Sequence, residues 1–258
     1  MRKIVKILLL IPVLYLIAVP FFLSAGIKSM PCSRIKIEIK DSSDYHFVTK
    51  QNLLNLVSAN SGRILGRPVR GIPVKKIEDV ISGLRELKEA EVYTDITGTL
   101  HVYTDQRNAI MRVMPDAGGD YFMDDEGFLV KRRNLYSPRV HIVGGNINIS
   151  SSMLNGLSVL DTSIKNTILK DIYHIVRYIS DDSFWSAQID QIFVDGNNEI
   201  DFIPRVGNHM IHIGTAENLE GKLRNLEAFY DKVLPEVGWN KYSYINLEYK
   251  DQIVCKRR

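Results

Sequence analysis

Six histidines, two cysteines and one acidic turn are the residues of this 258-residue chain whose types invite a chemical reading. The histidines, at 46, 101, 141, 174, 209 and 212, are dispersed, and only His209 and His212 lie close together. On a strand a spacing of three sends them to opposite faces, a poor arrangement for chelation, so they read as surface or strand-edge histidines. Cys32 and Cys255 stand near opposite ends of the chain, too few for a cysteine-built zinc site or a disulfide scaffold. A single bridge between them stays open, because sequence does not show proximity. Asp124-Asp125-Glu126-Gly127 lacks the ligand spacing and closing glutamate of a calcium loop and reads as a solvated hairpin turn. G-x-S-x-G, H-E-x-x-H, the P-loop and G-x-G-x-x-G are all missing. Asn148-Ile149-Ser150 matches a glycosylation sequon, a pattern short enough to arise by chance. The residues offer no catalytic constellation. The expectation is therefore a non-enzyme without metal, cofactor or small-molecule substrate.

Composition narrows the class. With 45% apolar and 24% charged residues the chain reads as folded, one large or two small domains. A net charge of +3 with Lys and Arg interleaved among Asp and Glu gives no basic stripe, so nucleic acid is not an expected partner. Residues 1–6 carry Arg2, Lys3 and Lys6, and no charge follows from Ile7 to Ile27. At ~1.5 Å per residue that run spans about 31 Å, enough for a membrane helix. It is longer than a signal-peptide core, and Leu-Ser-Ala at 23–25 puts a bulky residue at the first small position of a cleavage site. The expectation is an uncleaved single-pass anchor, its basic tail in the cytoplasm and the rest translocated.

The remaining chain punctuates itself into elements. Ser33–Lys40 alternates Ile35, Ile37 and Ile39 with polar residues, as a strand does. Thr49 opens a short helix carrying Leu53, Leu54, Leu56 and Val57, and Val74–Leu87 repeats at helical spacing despite Gly83. Glu91–Ile96 and Leu100–Thr104 form a hairpin through Thr97-Gly98. This β-α-α-β-β order predicts an α+β module, the order found in POTRA domains, a class of extracytoplasmic protein-binding modules. Short strands follow at Ala109–Met114, Asp120–Asp125, Gly127–Lys131 and Arg139–Val143. Helices are expected at Ser163–Ile179 and Leu219–Leu234, the second ended by Pro235. A hairpin turns at Asp195–Asn198, Met210–Ile213 adds a strand, and a closing strand begins at Tyr244, with Ile245, Leu247 and Tyr249 on one side. Cys255 is expected to be a small core residue, and Cys255–Arg258 a solvated tail.

Three runs together carry a family likeness: Glu86–Val113, Gly118–Val130 and Ser137–Gly145. They resemble the bacterial division proteins of the FtsQ/DivIB family, in which a hairpin ends in an acidic or Gln residue followed by Arg. An aromatic pair, an Asp and a Gly then mark the next domain. Here these are Gln106-Arg107, Tyr121-Phe122, Asp124 and Gly127. Ala109 and Thr97 stand where many members have proline. The closing segments, Glu220–Tyr230 and Tyr244–Val254, resemble the family's late helix and final strand pair, so the likeness spans nearly the whole chain.

The resemblance implies a cytoplasmic tail (1–6), a transmembrane helix (7–27), a POTRA-like domain (33–105) and a mixed β-domain with two long helices (106–258). It implies a non-enzymatic scaffold at the septum of the inner membrane that binds FtsB-like and FtsL-like coiled-coil partners and helps control septal peptidoglycan synthesis. Carried over by position, it puts Tyr244, Leu247, Glu248, Tyr249 and Lys250 in the partner interface, with Lys222 and Arg224 nearby. Independently, an edge strand offers unpaired backbone groups that a partner can satisfy. A competing reading is a POTRA-bearing envelope assembly or chaperone factor. Relatives of that kind continue into a membrane barrel, whose series of strands this sequence lacks.

Overall fold

A computed structural model describes Tyr15 and residues 30–40, 47–133, 136–165, 167–250 and 252–258. The expected tail and membrane anchor, Tyr15 apart, lie outside the described residues. Among those described, no helix is long and apolar enough to cross a membrane. The chain divides into two compact units, one ending at Arg107 and the other beginning at Asn108.

The first unit is a three-stranded sheet with two helices. Strand β1 (Arg34–Lys40) buries Ile37 and half-buries Ile35 and Ile39. Helix α1 (Lys50–Ser61) starts where the Thr49 hydroxyl accepts the Asn52 N–H at 3.2 Å and buries Leu53 and Val57. Helix α2 (Val74–Ser82) buries Ile77 and Ile81. Strands β2 (Leu87–Thr94) and β3 (Thr99–Gln106) form the hairpin, and the sheet order is β1-β3-β2. Because the chain leaves the sheet for two helices, β1 can return parallel to β3, while β2 pairs antiparallel. The second helix stops earlier than its hydrophobic spacing predicts. The Gly83 N–H donates to the Asp79 carbonyl at 3.1 Å and ends the helix, and Leu87 opens β2.

The second unit is built on nine strands: β4 (Ala109–Pro115), β5 (Tyr121–Asp124), β6 (Leu129–Lys131), β7 (His141–Gly145), β8 (Ile189–Val194), β9 (Ile200–Pro204), β10 (Met210–Gly214), β11 (Tyr242–Asn246) and β12 (Val254–Arg257). Their spatial order is β12-β11-β10-β9-β8-β7-β4-β5-β6. Strand β7 pairs parallel with β4 and β8, and β10 parallel with β11; the other neighbours are antiparallel.

Two long helices, α4 (Ile168–Asp181) and α6 (Leu219–Lys232), supply most of the helical side of the core. Short helices α3 (Ser151–Leu154), α5 (Ser183–Gln188) and α7 (Leu234–Val237) link elements and were not expected from periodicity. Ile172, Ile175, Val176, Leu223 and Leu226 pack with Val113, Val143, Ile192, Phe202, Ile211 and Ile245. Fully burying each such side chain contributes about 1.5–3 kcal/mol.

In the second unit two further boundaries and one strand differ from expectation. Helix α4 begins after Thr167, whose hydroxyl accepts the Leu169 N–H, so Ser163–Lys165 precede it. The closing strand runs from Tyr242 to Asn246 and no further, since the Asn246 side-chain oxygen takes the Glu248 N–H at 2.7 Å and turns the chain. The segment expected to be a solvated tail is strand β12, paired along β11.

Gly145, at the end of β7, has φ +104°, and a Cβ there would collide with the Val194 carbonyl oxygen. Gly145→Ala is expected to cost about 2–5 kcal/mol in urea unfolding. Gly196→Ala, at a turn with open space around it, should stay within about 0.5 kcal/mol.

Candidate functional site

The C-terminal edge of the large sheet brings the sequence-expected residues together, and helix α6 determines how. Its Leu223, Leu226 and Tyr230 enter the core. On the same helix, the buried Lys222 ammonium donates to the Ile213 carbonyl at 2.7 Å and to the Thr215 carbonyl at 2.9 Å. Burial pushes its pKa down, against the pull of Glu248 and Glu217. Lys222 thus ties the helix to the end of β10 and is not available as a surface contact. Leu247 is likewise interior, its N–H donating to the His212 carbonyl at 2.8 Å. Both of these residues, expected at the partner interface, are buried in the chain by itself.

Arg224 is exposed. On the same helix Phe229, about 140° further round, packs against Tyr242 of β11. Tyr244 lies half-buried on β11, and Glu248, Tyr249 and Lys250 are exposed in the connection that follows.

Strand β12 then returns, with Asn246 opposite Val254, Ile245 opposite Cys255, Tyr244 opposite Lys256 and Tyr242 opposite Arg257. Among the described residues nothing pairs with its other side. The direction of its backbone groups follows from two bonds. The Leu247 N–H points to β10, and the Arg258 N–H donates to the Lys241 carbonyl at 3.2 Å. Because these directions alternate along a strand, Val254 and Lys256 turn their backbone groups to β11. Cys255 and Arg257 turn theirs outward. The other sheet edge, β6, buries Leu129 and Val130, while Val254, Lys256 and Arg257 of β12 are exposed.

Val254 closes the stretch likened to a final strand pair, but Cys255, Lys256 and Arg257 were not expected in a strand, although the seven residues between Asn246 and Val254 include Tyr249 and Lys250 between two short β runs. On the sheet face away from the helices, Met210 pairs with Tyr244, and Phe193, Met210 and Val254 are exposed.

Beneath this edge sits an acidic cluster. His212 Nδ1 is 2.7 Å from Asp201 Oδ1, and its Nε2 lies 3.8 Å from Glu199 and 4.0 Å from Glu248. Tyr244 stacks on the ring, and its phenol is pushed up first by burial and then by Asp201, Glu199 and Glu248. His209 is held differently, with Nε2 2.8 Å from the Tyr230 hydroxyl. Both close-set histidines therefore have protein partners.

The family-motif residues make local contacts. Gln106 Oε1 accepts the Val48 N–H at 2.9 Å, and Arg107 Nε donates to the Arg85 carbonyl at 3.1 Å, both inside the first unit. Phe122 is buried and Tyr121 packs partly against the core. Asp124 accepts the Glu126 and Phe128 N–H groups at 3.0 and 2.7 Å, so its carboxylate serves the turn. Gly127, at φ +78°, leaves no room for a Cβ beside Ser158 and Val159. Cys32 and Cys255 are both free thiols. A cleft of about 1290 Å³ opens near the start of α4, lined by Asn146, Ser150, Thr167, Lys170 and Asn197 among others. Among its described lining residues Asp171 is the one carboxylate, with no histidine or cysteine beside it.

Residues 108–256 match the family model described as FtsQ/DivIB, C-terminal related, and residues 30–104 match the model described as a POTRA-like domain. No curated protein matches the chain.

Two measurements follow from the geometry. Replacing Lys222 with Met leaves two carbonyls without their donor, so urea unfolding should show a loss of about 1–3 kcal/mol. A change in partner capture at unaltered stability would instead mark Lys222 as a contact. His209 is held below its ordinary value of 6.5, chiefly because it is buried. Burial lowers His141 as well. Above pH 6.5 both states are neutral at these sites. As pH falls through 6.5 the unfolded chain takes protons first, so stability should drop on acidification. His209→Gln should flatten that fall, and an unchanged slope would contradict this assignment.

Proposed function

The chain belongs to the FtsQ/DivIB family, and from that premise we propose that it is a membrane-anchored, non-enzymatic scaffold of the division septum. In this reading the apolar run Ile7–Ile27 anchors it in the inner membrane, with the basic tail cytoplasmic and both compact units outside. The POTRA-like unit serves recruitment. The second unit binds FtsB-like and FtsL-like coiled-coil partners and through them helps control septal peptidoglycan synthesis.

One observation carries the binding role: the nine-stranded sheet ends in β12, whose Val254, Lys256 and Arg257 side chains are exposed and whose Cys255 and Arg257 backbone groups point outward. A partner segment adding as a further strand satisfies those groups. Main-chain bonds then supply affinity, and the exposed side chains set register. Tyr244, Glu248, Tyr249 and Lys250 border the added strand, with Tyr249 as the aromatic anchor. Leu247 and Lys222 support the edge from inside.

Proline tests this without dismantling the sheet. Cys255→Pro removes an outward N–H and leaves the pairing of Val254 and Lys256 with β11 in place. In the full-length chain it should abolish capture of the FtsB-like partner while the melting transition stays cooperative, and Cys255→Ala should retain capture. Undiminished capture by folded Cys255→Pro would overturn strand addition at β12.

A further inference from the structure

We infer that the segment added to β12 is itself divided along its length, with acidic residues at one end and apolar residues at the other. This rests on the docking role of β12 proposed above and specifies the chemistry of its occupant. The four residues of β12 fall into two halves. Val254 and Cys255 are apolar, and Lys256 and Arg257 are cationic. Each half holds one side chain on each face of the sheet, so an added strand meets the same division whichever face its residues occupy.

The surroundings deepen the contrast. At the cationic end, Lys241 and Arg258 flank Lys256 and Arg257, and the Arg258 guanidinium rests on the Asn208 carbonyl at 2.6 Å. None of these four cations forms an ion pair among the described residues. At the other end, Val254 adjoins Asn246, beyond which stands the exposed Glu248 near Glu199 and Asp201. The edge therefore attracts carboxylates where Lys256 and Arg257 lie and repels them beside Val254.

A second copy of β12 fits poorly. Pairing it parallel to itself puts cation opposite cation, and pairing it antiparallel puts Val254 opposite Arg257. Opposite charges across a strand pair stabilise it and like charges oppose it, so Lys256 and Arg257 both blunt self-association and select an acidic strand. The occupant is thus a heterologous extended segment with carboxylates opposite Lys256 and Arg257 and apolar residues opposite Val254 and Cys255.

Short synthetic peptides test this against the full-length chain in detergent, by fluorescence anisotropy. One peptide carries an apolar block followed by a glutamate block, a second has the reverse order, and two counterparts replace the glutamates with lysines. At least one acidic peptide should bind about tenfold or more tighter than its lysine counterpart, with the advantage shrinking in high salt. The double variant Lys256→Glu, Arg257→Glu should invert that preference. Equal binding of acidic and basic peptides, no binding of any, or an unchanged preference in the double variant would overturn the inference. Cys255→Pro separates the two levels. If it weakens all peptides while charge makes no difference, strand addition stands and the acidic specificity fails. If it changes nothing, the docking edge itself is wrong.

Discussion

A strand can lie parallel to the one before it only when the chain leaves the sheet and returns across one of its faces. Strands β10 and β11 are related in this way, and α6 with α7 forms the return. The Lys222 ammonium, held by the Ile213 and Thr215 carbonyls, fastens that return to the strand it has just left. Leu223, Leu226 and Tyr230 hold the rest of the helix over the core. Once β11 is placed, the Asn246 turn and the short antiparallel return leave β12 as the last strand, with half its backbone groups facing away. The candidate docking edge therefore depends on an interaction buried several residues away from it.

Charge is distributed around this edge in a way that backbone geometry alone does not require. The His212 cluster gathers Glu199, Asp201 and Glu248 at one end, and Lys241, Lys256, Arg257 and Arg258 stand at the other. A net charge of +3 conceals this local polarity. Backbone pairing is indifferent to sequence, so selectivity at an open strand must come from side chains flanking it. The first unit shows the opposite economy: the Gln106 side chain and Arg107 hold its hairpin to the loop before α1 and the turn after α2, and the motif is structural at both positions.

Much of the fold was legible because its elements repeat with a clean period. Ile200–Pro204 alternates around a recognisable Asp-Gly-Asn-Asn turn, and α4 carries apolar residues at helical spacing. The edge was legible only in part. Val254–Arg257 is too short and too charged to show alternation, and its strand character comes from the unpaired side of β11. Tyr249 and Leu247 continue the alternation of β11 in sequence, yet the Asn246 side chain captures the Glu248 N–H and ends the strand first. Lys222 reads as a surface cation on a helix, and only the packing of α6 over β10 shows that carbonyls meet it inside. Arg224, two residues on, is exposed. Local pattern encodes elements, whereas which side chains reach a shared edge depends on how helices cross the sheet.

Amide hydrogen exchange of the full-length chain, with and without the FtsB-like partner, reports most directly on the central claim. Strand addition predicts slowed exchange at the outward amides of Cys255 and Arg257 on binding, with little change in β1, β2 or β6. Protection confined to the strands of the first unit, or partner binding with no change at Cys255 and Arg257, would contradict it.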